Sequence, residues 1–510
     1  MERNDRWIGR VVIVGGGTAG WMTAAALSQS LGRHVALTLV ESDMIATIGV
    51  GEATIPPIRA FHDLAGINEA EFIRETFATF KLGIEFRDWS RPNTRYFHPF
   101  GYYGTQKDLG YFLQYWLRLA ERGRVADFSE FSLCALAARH NVMAEASPDP
   151  NHPLHLFSSA YHFDASLYAR YLKSVSVARG VTHTLGDIVD ADKDPVSGLV
   201  TALRLKSGET VEGDLFIDCS GLRGVLIDKA MGSPYEDWSK WLPMNRAVAM
   251  PCEGRMPLAP FTLSTARAFG WQWRIPLQHR VGNGIVYSSD FASDDEAADT
   301  LVANLEGKAL ASPNRIRFTT GRRQTAWAKN VVAIGLSSGF LEPLESTSIY
   351  LIQSSIQRLI KHFPDKTFAA VNIEAYNRAA AAEIETVRDF LILHYHATER
   401  DESELWNYVR TMPIPDSLAH RIALFRERGQ LNLAAEELFQ STSWLSVLMG
   451  QGIRPRTYMP TMAFQDDNLL AEGYARLERH LKATVARLPD HLAFLRAGGL
   501  IHPSLLAAAN

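Results

Sequence analysis

The chain has 510 residues, 46% of them hydrophobic, with three cysteines and a formal net charge of −4. That length allows roughly two to four units of ordinary size with a large core. The slight acidity gives no electrostatic case for nucleic acid or an anionic membrane as the main partner. Cys134, Cys219 and Cys252 are far apart and make no metal-ligand spacing, so no metal is expected and a reducing, cytoplasmic setting is the default. The first apolar run stops after four residues, so no signal peptide is expected, and no stretch is apolar for long enough to cross a membrane.

The run Val11-Val12-Ile13-Val14 leads into Gly15-Gly16-Gly17-Thr18-Ala19-Gly20 and then an Ala-rich helical pattern from Trp21. Strand, glycine turn and helix in that order open a dinucleotide-binding βαβ unit. Gly15 permits the tight turn, Gly17 lets the backbone approach a pyrophosphate, and Gly20 allows close packing of helix on strand. Thr18 and Ala19 open the helix, whose N-terminus offers N–H groups to phosphate. A second apolar run, Val35 to Val40, ends in Glu41, where a carboxylate can take a ribose hydroxyl. Ile48-Gly49-Val50-Gly51-Glu52-Ala53-Thr54-Ile55-Pro56-Pro57 reads as a loop rather than a helix or strand.

With Gly-Gly-Gly-Thr-Ala-Gly-Trp before it, GVGEATIP is similar to the flavin-contacting strap of the flavin-dependent tryptophan halogenases, which makes Val50, Gly51 and Ala53 candidate flavin contacts. Residues 58–90 read as helix and then as a strand over Thr79 to Phe86. Judged by its apolar neighbours alone, Lys81 reads as a snorkelling or solvated lysine. The resemblance puts it where these halogenases carry their essential lysine. A desolvated amine can hydrogen-bond hypohalous acid or, when neutral, become a haloamine.

Tyr96-Phe97-His98-Pro99-Phe100 is an aromatic cluster that core packing alone could explain. By resemblance, His98 and Phe100 flank the ring of a flat substrate. Residues 105–180 read as largely helical. Val181 to Asp190 and Val200 to Lys206 read as strands around a turn at Asp194 to Gly198, with Val189 a candidate contact at the adenine end. Gly213 to Gly221 resembles the second flavin-associated strand.

Gly270-Trp271-Gln272-Trp273-Arg274-Ile275-Pro276 carries WxWxIP. As a strand it puts Trp271 and Trp273 on one face. The motif, with Ile275 and Pro276, resembles the signature that sets flavin-dependent halogenases apart from flavin monooxygenases. The tryptophans there are held to keep organic substrate from the flavin.

Asn330 to Leu336 reads as a buried strand ending at a glycine, followed by SSGFLEPLESTSIY and a helix start. By resemblance, Glu345 is the second catalytic residue, Thr347 and Ser348 bind halide, and Leu336 and Ile349 touch flavin. Several family members have glycine at the position of Ser348. Residues 369–399, 417–429, 433–449 and 467–497 read as amphipathic helices. Phe439 to Leu445 resembles a segment that supplies a substrate-facing ring, Trp444. The paired tyrosines and glutamate that hold the amino-acid end of free tryptophan are not evident, which favours an indole-type or other electron-rich aromatic.

The resemblance implies an α/β (α+β) fold: a GxGxxG, flavin-monooxygenase-like FAD-binding unit with an interleaved mixed-sheet substrate region over 1–365, and a helical C-terminal cap over 366–510. It implies FAD used as FADH2, O2, and chloride or bromide, with a small aromatic substrate. No NAD(P)H signature accompanies the single FAD fingerprint, so a separate NAD(P)H-dependent flavin reductase is expected as partner. A homodimer is compatible with it. Direct aromatic hydroxylation and non-catalytic flavin binding remain the alternatives.

Overall fold

The computed structural model describes residues 5–42, 51–104 and 109–507. They form α/β architecture in two compact units drawn from interleaved segments, one from 1–78, 163–245 and 317–385, the other from 79–162, 246–316 and 386–510. The chain crosses between these two units several times, the last inside the helix Ala370–His396.

The first unit is centred on a six-stranded sheet. Arg10–Val14 lies in the middle, parallel to Leu215–Asp218 on one side and Ala36–Glu41 on the other, with Val11 opposite both Leu215 and Leu37. Thr182–Leu185 and Val331–Ala333 extend it in parallel, and Trp327–Ala328 closes one edge antiparallel. Val12, Val14, Val40, Phe216 and Val331 belong to one apolar cluster. Near-continuous apolar runs of this kind are what a parallel sheet covered on both faces needs.

The second unit contains a mostly antiparallel sheet in which Arg246–Cys252, Val281–Tyr287, Gly270–Pro276, Thr262–Arg267, Gly83–Arg87 and Arg95–Pro99 lie side by side. Helices Leu109–Ala120, Leu133–Arg139, Asp416–Arg428, Ser441–Gly450 and Asp467–Val485 belong to the same unit.

Several elements differ from the sequence reading. Gly51–Ala53 is a short strand, not loop. The stretch expected as one strand over 79–86 is two, Thr79–Lys81 and Gly83–Arg87. The break falls at Leu82, whose N–H is donated to the Pro260 carbonyl and whose own carbonyl accepts from Phe100. Ala160–Asp164 is a strand within the region read as helical. Helix Glu404–Thr411 was not anticipated, the helix expected from 433 starts at Ser441, and the one expected over 467–497 is divided at Pro489, with Asp490 capping the second piece.

Candidate active site

In the first unit the glycine turn joins Arg10–Val14 to helix Thr18–Leu31. Gly15 has φ +108°, open to glycine and strained for other residues. A Cβ on Gly20 would stand 1.8 Å from the Gly15 carbonyl oxygen, so the close helix–strand approach requires its absence. A Cβ on Gly17 would meet nothing within 4 Å, because this side opens into a cleft of about 550 Å³. That volume is ordinary for a small-molecule site.

The cleft is floored by Gly15, Gly17, Thr18 and Ala19, with Glu41 on one side and Leu336, Ser348 and Ile349 on another. Helix Thr18–Leu31 carries no side-chain cap at Gly17, so its first N–H groups suit phosphate. Glu41 accepts from His183 Nε2 at 2.8 Å and lies 3.5 Å from Lys173 Nζ, two partners that were not anticipated. The donor set and the open side of Gly17 fit FAD.

Two strap positions behave differently from each other. Ala53 is buried and does not line the cleft, whereas Glu52 does. Desolvation pushes the Glu52 carboxyl up to about 7. Gly51 is buried in its strand, and Val50 lies outside the described residues. Val189 is a correction: it is 62% exposed in strand Ile188–Lys193, and the cleft is lined by Ile188 instead. Alternation along a strand sends neighbours to opposite faces, so a one-residue error exchanges inside for outside.

Beyond Leu336 the chain makes a 3-10 turn, Pro343–Glu345, then Ser346 at φ +59° and helix Ser348–Lys361. Glu345 is 1% exposed. Thr347 is the N-cap residue yet makes no capping bond, and its Oγ1 is buried without a hydrogen-bond partner among the described residues. An unpaired hydroxyl beside uncapped helix N–H groups is a donor set for an anion.

In the second unit Thr79–Lys81 pairs antiparallel with Ala160–Asp164, Thr79 opposite His162 and Lys81 opposite Ala160. Lys81 is 0% exposed, so the snorkelling reading is overturned by the sheet around it. Its Nζ stands 5.2 Å from the Phe100 ring centre. Thr79 Oγ1 donates to the Pro276 carbonyl at 2.7 Å, and His162 bonds Thr79 and Thr262 through its two ring nitrogens. Burial, with the Lys81 charge adding to it, holds the His162 imidazole well below its usual range. A neutral ring beside the lysine adds no second positive charge.

Aromatic rings continue from this point. His98 meets Phe390 edge-on at 5.9 Å and Phe439 at 6.3 Å, and Phe390 stacks on Phe439 at 3.9 Å. Trp444 is wholly buried, edge-on to Phe390, with its Nε1–H donated to the Phe439 carbonyl and Arg421 over its ring. Trp444 thus backs the Phe390–Phe439 pair. The pair itself was missed, although Phe439 lies within the segment singled out by sequence.

Trp271 and Trp273 share a face of Gly270–Pro276 with ring centres 6.1 Å apart. Trp273 lies against Gly284 of the neighbouring strand, where a Cβ would come within 2.1 Å of its ring. Ile275 is buried, and Pro276 carries the carbonyl that holds Thr79. A further cleft in this unit, about 600 Å³ and lined by Tyr111, Gln114, Asn432 and Leu445 among others, contains none of the anticipated residues. Among the described residues no group of His, Cys, Asp or Glu is arranged to hold a metal, and no helix is long and apolar enough to cross a membrane.

The family model for tryptophan halogenases matches residues 10–467. A tryptophan 6-halogenase from Streptomyces toxytricini is 36% identical, covering 97% of this chain and 99% of that protein. Among solved structures, a flavin-dependent halogenase from Xanthomonas campestris superposes with a TM-score of 0.93 at 47% identity, over 96% of this chain and 98% of that one. A flavin-dependent halogenase from Brevundimonas sp. BAL3 gives 0.93 at 45%, over 98% and 100%. Likeness over nearly the full length, on a chain with this glycine turn, buried lysine and paired-tryptophan strand, makes it an enzyme belonging to the flavin-dependent tryptophan halogenase family.

Proposed function

We propose that the enzyme chlorinates or brominates an electron-rich aromatic of the indole type, with a separate NAD(P)H-dependent flavin reductase supplying FADH2. The observation that carries this reading is the wholly buried Lys81 beside Phe100, in the unit whose walls include the rings of His98, Phe390 and Phe439. An amine sealed from water next to flat apolar surfaces suits an electrophile that must meet a ring before it meets solvent. The missing tyrosine pair and glutamate support a substrate lacking the amino-acid end of tryptophan.

Bound as FADH2, the cofactor would supply, with O2, the oxidising equivalent that turns halide into hypohalous acid. The glycine turn and the N-terminus of helix Thr18–Leu31 hold its phosphates, and Glu41 takes a ribose hydroxyl. Thr347 Oγ1 and the Ser348 amide donate to the halide. Lys81 either donates a hydrogen bond to the oxygen of the hypohalous acid or, as the free amine, stores the halogen as a haloamine. The ring carbon nearest Lys81 forms the carbon–halogen bond as the oxygen–halogen or nitrogen–halogen bond breaks. Glu345 accepts the proton that the cationic ring then loses. Orientation of the ring toward Lys81 selects the product isomer.

The test is an assay of indoles, phenols and pyrroles with FAD, a generic reductase and either halide, read by mass spectrometry. A halogen isotope pattern is expected. Gain of oxygen alone would make the enzyme a hydroxylase, and no product across the panel would leave only flavin binding.

A further inference from the structure

The first unit holds a second, much smaller pocket whose arginines none of the assignments above uses. It measures about 50 Å³ and lies among strands Gly321–Arg323 and Gly339–Phe340, helix Ser348–Lys361 and the helix beginning at Ala370. That is room enough for a water-sized particle such as a small ion.

Its polar lining includes Arg322, Arg323 and Arg358, together with Asn377 and the carboxylate of Glu383. Each is partly spoken for. Arg322 pairs with Glu236 and Glu385, Arg323 with Asp228, and Arg358 with Glu383. Glu383 also accepts from Tyr350 and Ser354, so its charge is shared by three donors. What remains is Arg322 Nε, Arg323 Nε and Arg358 Nη1, all buried without a hydrogen-bond partner among the described residues.

Guanidinium groups only donate, so three buried spare donors call for an acceptor. A monatomic anion meets that need and fits the volume. Two lining residues, Leu336 and Ser348, also line the flavin cleft, and Ser348 is half of the candidate halide pair.

We infer that this arginine-lined cavity is a holding site for a single chloride or bromide ion that supplies the turn at Thr347 and Ser348. The inference rests on the proposed use of halide. The site adds no charge-transfer step; its guanidinium groups draw halide toward the turn.

The test fills the cavity with carbon while leaving the arginines in place. Ala380→Leu, with Ala381→Met as a second variant, adds apolar volume from the helix wall. Thermal melting and FAD titration check that each variant is folded and loaded. The expected result is a bromide KM raised about tenfold, with kcat at saturating bromide and the KM for the aromatic within about twofold of the parent, a binding change near 1.4 kcal/mol. Crystals of the parent soaked in bromide are expected to give an anomalous peak in the cavity that Ala380→Leu lacks.

An unchanged bromide KM in the folded variants, or a parent cavity holding only water, overturns the inference while leaving halogenation intact. A parent enzyme that yields no halogenated product sinks the functional reading instead, and the anomalous signal still decides whether the cavity binds halide.

Discussion

In the unit that carries the cofactor cleft, the lining includes main chain suited to anions: the turn through Gly15 and Gly17, the uncapped start of helix Thr18–Leu31, and the uncapped start of helix Ser348–Lys361. In the other unit the groups proposed to meet the aromatic are side chains, namely Lys81, Phe100, His98, Phe390 and Phe439, which come from positions far apart in sequence. Main-chain recognition fixes a chemistry common to all ligands bearing phosphate or small anions. Side-chain walls can be exchanged one at a time. On the proposed reading, the first arrangement keeps the cofactor while the second is free to change the aromatic it accepts.

The comparison is broken most sharply at Lys81. Lys81→Met keeps the stem and removes the amine, and halogenated product is expected to fall by about a thousandfold or more while reduced flavin is still oxidised. Product formation at the parental rate would remove the amine from the reaction. On the main-chain side, Gly20→Ala drives a methyl group into the Gly15 carbonyl, and FAD affinity is expected to fall by about a hundredfold, with strain of some 1–3 kcal/mol seen as a lower melting temperature. Unaltered FAD binding would mean that the turn can relax.

The aromatic wall predicts a smaller effect. Phe439→Leu trims the ring stacked on Phe390, so the KM for the aromatic should rise by about five- to tenfold and the ratio of product isomers should shift, with FAD affinity constant. Chromatography of the isomers checks this.

Glu52 sharpens the comparison through pH. Its carboxyl is raised from 4.5 to about 7 by desolvation, so the folded protein holds a proton that the unfolded chain gives up. Stability from this group is fully present below about 4.5, declines as pH rises toward 7, and changes no further above it. The whole decline is at most about 3 kcal/mol, less for the part of the side chain that water reaches. Glu52→Gln should flatten it in melts across that range, and an identical slope in parent and variant would discard Glu52 as its source. The smallest effect is expected from Ser348→Gly: a shift of about twofold to fivefold in chloride-to-bromide preference, read by competition, with flavin affinity unchanged.

Main-chain sites were the legible ones. Gly15 and Gly20 announce their role because backbone conformation or crowding excludes a side chain there, Gly17 because it leaves room for a ligand, and Glu41 follows at the end of the next strand. Lys81 was legible only through its resemblance. Its neighbours argued for solvent, and burial came from pairing with Ala160–Asp164, a strand hidden in a stretch whose local pattern is helical. Val189 failed by a single residue, because the alternation that puts Ile188 inward cannot be phased without its sheet partner. Phe390 had no local signal: it is one apolar residue among many on a long helix until Phe439 stacks on it. The interleaving of the two units was equally silent, since each crossing lies in chain of ordinary composition.

The contact between Trp273 and Gly284 ties two strands to one shared volume. Neither position can drift alone, for any side chain at 284 must displace the indole, and a smaller residue at 273 leaves a hole that only growth at 284 can fill. Positions 273 and 284 should therefore covary across relatives, and the effective signature of this enzyme is six residues of one strand plus a silent glycine on the next.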